Sequence, residues 1–197
     1  MDIKRITSPF SEYTVRSLHI GDSVLLSGTI VTARDAAHKH LASAGESPLI
    51  MKGMVIYHCG PVTVKTGNLW KVIVAGPTTS IREEPYEANI IERFRPGAIL
   101  GKGGMGRHTL EAMRKSGCVY LNATGGAAAY LAGCINAVND VYFLDEFGQP
   151  EAMWVLDVTD FPAIVTMDSF GKSLHDEIEI VSRKNLEKLL NNRTKHD

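Results

Sequence analysis

"AILGKGGMGRHTL", residues Ala98–Leu110, joins an aliphatic run to a glycine cluster and then to a helix-like pattern. A strand that enters a glycine loop and leaves as a helix is one unit of an α/β fold, so the reading of this stretch decides the architecture. Gly101, Gly103 and Gly106 fit G-x-G-x-x-G, the fingerprint of a dinucleotide-binding turn. That reading requires an acidic residue at the end of the next strand, roughly 20 residues on, to hold a ribose. The next strand, "CVYLNAT", ends in Asn122 and Thr124, and the unit begins mid-chain. A Walker A loop is excluded as well, because Gly103 follows Lys102 where Ser or Thr should stand. What remains is a glycine loop that holds one ammonium, Lys102, over a small anion, with the amides around Gly101 and Gly103 assisting.

Outward from this unit, strands and helices alternate. "SVLLSGTIVTA" (Ser23–Ala33), "GMVIYHCGP" (Gly53–Pro61) and "LWKVIVAGPTTS" (Leu69–Ser80) read as strands, the last two ended by Gly-Pro. "RDAAHKHLASAGE" (Arg34–Glu46) is Ala-rich and helix-like. "EPYEANIIERF" (Glu84–Phe94) reads as a helix with acids early and arginine late, which suits the macrodipole. "RHTLEAMRKSG" (Arg107–Gly117) is a helix closed by glycine. "AAAYLAGCI" is a short apolar helix, and "DVYFLDE" and "MWVLDVTDFPAIVTMD" supply further strands. Residues 174–192 form an amphipathic helix with Ile178, Val181, Leu186 and Leu189 apolar. The expectation is one α/β domain over residues 1–197, with part of the sheet antiparallel or barrel-like where the early strands lie close together.

Bulk composition narrows the function. The 197 residues are 44% hydrophobic and carry a formal net charge of −1, so no global field recruits nucleic acid or an anionic membrane. "MDIKRITSPF" has no apolar signal-peptide core, and no apolar run approaches the ~20 residues that span a bilayer. Cys59, Cys118 and Cys134 are odd in number and widely spaced, which fits a reducing cytoplasm and offers no metal or cluster ligand set.

Four strand ends carry polar chemistry. Arg34 opens a helix with Asp35 and His38 beside it, and can present a fork to a carboxylate or phosphate. A cation at a helix N-terminus opposes the dipole, so something must offset it. His58 ends the next strand, as a structural histidine or as support to a site. "AGPTTSIREE" offers Thr78, Thr79, Ser80 and Arg82; helix capping by Thr79 or Ser80 accounts for one hydroxyl only. Lys102 completes a set of three cations and a hydroxyl at strand-to-helix turns, which tend to converge on one edge of an α/β sheet. Three cations suit a small dicarboxylate, yet no strong base accompanies them, so the site is incomplete.

"GTIVTARDAAH", "IYHCGP", "VAGPTTSIR", "LGKGGMG" and "FLDEFGQPEAMWVLDVTDFPAIVTMDSFGKSL", in this order and spacing, resemble the β subunit, or C-terminal domain, of class I iron–sulfur hydro-lyases: two-subunit fumarate hydratases and L(+)-tartrate dehydratases. The resemblance covers about Ile20 to Glu177. It implies a swivelling β/β/α-type domain, with a mixed sheet flanked by helices. It implies a [4Fe–4S] cluster carried by a partner α subunit, none bound by this chain alone, and a site at the junction of the two. Homodimerisation stays open. Carried over by position, Arg34, Arg82 and Lys102 bind substrate carboxylates and Thr78 is the candidate base, with His58 and Thr79 in support. The implied reaction is reversible hydration of fumarate to (S)-malate, with tartrate dehydration as the alternative; a stand-alone small-anion-binding module is the alternative of another class. Cys59 departs from the family pattern, which has a small alanine there, and puts a thiol near the site.

Overall fold

The computed structural model describes residues 2–43 and 46–193. Its centre is set by four short runs in which both strand faces are apolar. β2 (Ser23–Thr32), β3 (Val55–Tyr57), β6 (Ala98–Gly101) and β7 (Val119–Asn122) lie parallel in that order. Because successive side chains point to opposite faces, Ile30, Tyr57, Leu100 and Leu121 fill one core while Val31, Ile56, Ile99 and Tyr120 fill another. This is why the runs read as continuous hydrophobics rather than as alternation.

The second half of the chain closes the sheet. The 15-residue β9 (Met153–Met167) runs antiparallel to β2 along Ser23–Val31 on one side and to β7 on the other, so that β2, β3, β6, β7 and β9 form a closed barrel. β1 (Lys4–Ser8) adds to β2 in parallel and β8 (Ile135–Tyr142) adds to β9 antiparallel. The barrel interior holds Leu26, Ile30, Trp154, Leu156 and Phe161, all fully buried. Each buried Leu, Ile or Phe contributes about 1.5–3 kcal/mol. A separate hairpin of β4 (Val62–Thr66) and β5 (Leu69–Val74) covers one end, with Trp70 packed edge-on against Trp154 at 5.1 Å.

Helices α2 (Asp35–Ala42), α3 (Glu84–Phe94) and α4 (Arg107–Ser116) cover the outer face through Leu41, Ile90, Ile91 and Met113. The bounds of α3 match the sequence reading. Pro85 sits in its first turn, Glu84 and Glu87 follow the dipole, and Arg95 closes it in the left-handed region. Gly117 closes α4 at φ 73°. The Arg34–Glu46 reading overshoots: α2 ends at Ala42, and residues 44 and 45 of that reading lie outside the described residues. α1 (Glu12–Arg16), α5 (Ala128–Gly133) and α6 (Leu144–Phe147) are short connectors.

α7 (Leu174–Arg193) docks by its first turn, where His175 hydrogen-bonds the Thr166 hydroxyl (2.9 Å) and lies edge-on to Tyr120. Further along, Ile178, Val181, Leu186 and Leu189 are exposed. Among the described residues no helix is long and apolar enough to cross a membrane.

Candidate functional site

The C-terminal ends of β2, β3 and β6 deliver Arg34, His58 and Lys102 to one end of the barrel, and the turn after β5 delivers Thr78–Arg82 to the same place. Main-chain contacts fix this convergence. The Thr78 amide donates to the His58 carbonyl (2.7 Å), the Ser80 amide donates to the Lys102 carbonyl (3.0 Å), and Thr79 pairs with Lys102 as an isolated parallel bridge.

Arg34 is the extended N-cap of α2. The group that offsets its charge against the helix dipole is Glu151, which accepts from the Ala36 amide (2.9 Å) and stands 3.4 Å from the Arg34 Nε. The Arg34 guanidinium lies against Gly60, where an added Cβ would come within 2.6 Å of Nη1. Arg82 is held by Asp35, its Nη2 lying 2.9 and 3.0 Å from the two carboxylate oxygens. Lys102 is half-buried, and its ammonium has no protein partner among the described residues. Three cations thus meet at one barrel end, two braced by carboxylates and one uncommitted. That arrangement favours a dianion arriving from outside.

The glycines divide into different roles. Gly101 is a buried strand residue on which a Cβ would fall 2.0 Å from the Ser80 Oγ, so its missing side chain serves packing. Gly103 is exposed at φ 83°, and its amide donates to the Asn122 Oδ1 (3.2 Å). The N-terminus of α4, where a pyrophosphate would sit in a dinucleotide fold, is filled by the Glu84 carboxylate. Glu84 accepts from the Gly106, His108 and Thr109 amides at 2.7–3.3 Å. An anion already in place leaves no vacancy for another, which explains physically why the fingerprint is not a nucleotide loop.

The hydroxyls also separate. Thr79 precedes a 3₁₀ turn (Ser80–Glu83) but its side chain makes no cap hydrogen bond, and Ser80 is buried, so neither caps the helix as the sequence reading allowed. Thr78 is half-buried in the turn that ends at the same barrel end as the cations, its amide bonded to the His58 carbonyl. His58 is fully buried, bonded to Ser80 Oγ through Nδ1 (2.9 Å) and to Glu87 Oε2 through Nε2 (3.0 Å). His38 joins the same Glu87 oxygen through Nε2 (3.0 Å), while its Nδ1 meets the Arg34 carbonyl (2.9 Å). Burial disfavours charge on both rings. On His38 the Glu87 and Glu83 carboxylates outweigh it and hold the pKa above the ordinary histidine value; on His58 burial wins and the pKa is lowered. Burial also opposes ionisation of Glu87, but His38 and the two histidine hydrogen bonds override it and bring it down to about 2. The buried set is therefore an imidazolium, a carboxylate and a neutral imidazole.

Glu83 lies at the edge of this set, 1% exposed, with neither carboxylate oxygen hydrogen-bonded within the protein. Burial pushes it up to about 7, with Asp35 and Glu87 adding to the shift and His38 opposing it. A carboxyl with a raised folded pKa stabilises the fold below its unfolded value near 4.3, and that contribution is lost as pH rises through about 7. Glu83→Gln is therefore expected to raise the melting temperature by about 5 °C at pH 8 and to leave it unchanged at about pH 4. Calorimetry at the two pH values checks this, and an equal shift at both would contradict it.

Sequence reasoning did not identify Glu87, Tyr120, Glu83 or Glu151 as parts of this region. Ser80 reads in the sequence as a cap or as one hydroxyl of an anion cradle, whereas in the structure it is buried between His58 and Tyr120. The Cys59 thiol is buried and its pKa is pushed up to about 12, mainly by burial, so it is a packed side chain and not a reactive one.

The family described as Fumarase C-terminus matches residues 2–178. A provisionally named class I fumarate hydratase of Geobacillus stearothermophilus is 54% identical over 185 residues, covering 93% of this chain and 35% of that protein. A provisionally named L(+)-tartrate dehydratase subunit beta of Methanocaldococcus jannaschii is 44% identical, covering 89% of this chain and 91% of its own length. The L(+)-tartrate dehydratase subunit beta of Escherichia coli K12 is 35% identical, covering 87% and 86%. The chain thus spans about a third of the first relative and most of the other two. With the family matched over 177 of 197 residues (2–178), the chain belongs to the fumarase C-terminus family of hydro-lyase subunits and domains.

Proposed function

We propose that the chain is the β subunit of a two-subunit class I hydro-lyase, hydrating fumarate to (S)-malate reversibly. The observation that carries the reading is that Lys102, whose ammonium has no partner among the described residues, lies at the same barrel end as the carboxylate-braced Arg34 and Arg82. In this reading Arg34, Arg82 and Lys102 bind the substrate carboxylates. They stabilise the negative charge that gathers on one carboxylate as the neighbouring carbon loses its proton. Thr78, with its main chain fixed on His58, is the group placed at that carbon. A threonine hydroxyl is a weak base, so an acidic partner comes from the other subunit. Thr79 lines the same turn.

An iron–sulfur cluster does not fit this chain. Cys59 and Cys118 are buried in separate cores, Cys134 caps α5 at the edge of the core that holds Cys59, and no cysteine joins the one ligand-like cluster among the described residues, His38–His58–Glu87. The proposal places the cluster on the α subunit. The swivelling motion belongs to the same proposal, with the barrel turning as a unit against that partner.

L(+)-tartrate dehydration is the second reading, favoured by the two relatives of similar length that carry that name. The test is an anaerobic assay with and without the α partner, offering malate and L-tartrate separately. Activity only with the partner supports the reading and names the substrate. No turnover of either by the iron-loaded pair overturns it in favour of a small-anion-binding module, which would show as thermal stabilisation of the lone chain by malate.

A further inference from the structure

We propose that His58 is a positioning residue, which sets the register of the Thr78 turn against the Lys102 loop through the Ser80 hydroxyl and is anchored behind by Glu87 and His38. Only the activity readout of this proposal rests on the hydro-lyase reading. Each hydrogen bond of the set has a defined donor, and two of them converge on Glu87. The Arg34 carbonyl can only accept, so His38 Nδ1 carries a proton. Tyr120 donates to the Ser80 Oγ (2.7 Å), which frees the Ser80 proton for His58 Nδ1. His58 then carries its single proton on Nε2 and donates it to Glu87, which also accepts from His38 Nε2.

Every link starts or ends on a segment that carries a site cation or hydroxyl. The His58 amide donates to the Leu100 carbonyl (2.8 Å), its carbonyl receives the Thr78 amide, and Ser80 receives Gly101 against its hydroxyl and holds the Lys102 carbonyl by its amide. On the far side, the Gly104 amide faces the Tyr120 oxygen. The chain thus spans from the Arg34 carbonyl to the glycine loop with all its side chains buried. A metal ion bound by the two Nε2 atoms and Glu87 would need both nitrogens deprotonated, whereas these bonds require protons on both.

The test compares His58→Asn, whose amide oxygen stands in for Nδ1 and keeps the Ser80 bond, with His58→Gln, whose amide reaches Glu87 and loses Ser80. In the assembled enzyme kcat is expected to fall about 100-fold in His58→Gln and less than about 10-fold in His58→Asn, with KM little changed and melting temperatures similar. Equal losses in the two variants, or losses that follow melting temperature, overturn the proposal. Two readouts need no turnover. Amide exchange at Thr78, Gly103 and Gly104 of this chain is expected to quicken about 10-fold in His58→Gln only. Nitrogen NMR is expected to show His58 protonated at Nε2 and bare at Nδ1. Unchanged exchange, the opposite tautomer, or stoichiometric zinc in the purified chain each overturns it. If the wild-type pair turns over neither substrate, the hydro-lyase reading fails and these two readouts decide the proposal.

Discussion

Lys102→Ala is expected to lower kcat/KM of the assembled enzyme by about 10²–10³-fold while leaving the melting temperature of this chain within about 2 °C. Among the described residues the ammonium has no partner to lose, so its removal leaves no orphaned carboxylate there and opens no cavity in either core. What disappears is a charge aimed at a developing anion. Arg34→Ala should cost a similar factor in rate, but it also strips Glu151 of a cation at 3.4 Å, so a small stability change accompanies it. Steady-state kinetics and a thermal melt on the same preparations separate the two effects. Retained activity in both variants would remove the basis for the dicarboxylate site.

Glu87→Ala is expected to act in the opposite sense, through stability. It leaves the His38 imidazolium buried without its principal counter-charge and His58 Nε2–H without an acceptor. Breaking a buried ion pair costs about 3–5 kcal/mol, which in a chain of this size lowers the melting temperature by about 6–20 °C. The pH dependence follows from the lowered carboxyl. Glu87 contributes stability above its unfolded value near 4.3, and the contribution is lost as pH falls through about 2. The gap between wild type and variant should therefore narrow between about pH 4 and pH 2. On the alkaline side, the raised His38 gives stability that is complete below its unfolded value near 6.5 and fades as pH rises through the folded one. Calorimetry from about pH 2 to about pH 9 follows both limbs, and a variant that melts with wild type at about pH 7 would contradict the charged assignment.

Local signals in the sequence were enough for α3 and α4, but not for α1, nor for α6, which begins at Leu144 inside the "DVYFLDE" stretch that reads as a strand. Pro85 after two glutamates, and Gly117 after a basic turn, are short-range signals with short-range physical causes. β4 was not legible although Val62 to Thr66 alternates and "TGN" follows, because the strand is mostly exposed and is held only by its pairing with β5. β1 is five residues long and half polar, and only its parallel register with β2 makes it a strand. Among site residues, the cations were legible because each sits next to a strand end. The buried contacts behind them were not. His38 lies 49 residues from its partner Glu87 and Tyr120 lies 40 residues from its partner Ser80, and a helix, a strand and a barrel wall must form before they meet. No spacing rule encodes such a meeting.

The pairing of β2 with β9 has a consequence for the birth of the protein. Thr32 bonds the Ala152 carbonyl across 120 residues of chain, and this seam runs the length of β2. Such high contact order puts folding on the slow, millisecond-to-second side for a domain of this type. On the ribosome, β2 emerges with one edge open and stays so until β9 has been synthesised. During that interval the edge is a template for any passing strand. Timing of synthesis, and chaperones that shield a nascent sheet, therefore bear on yield of this protein more than the chemistry of its site does.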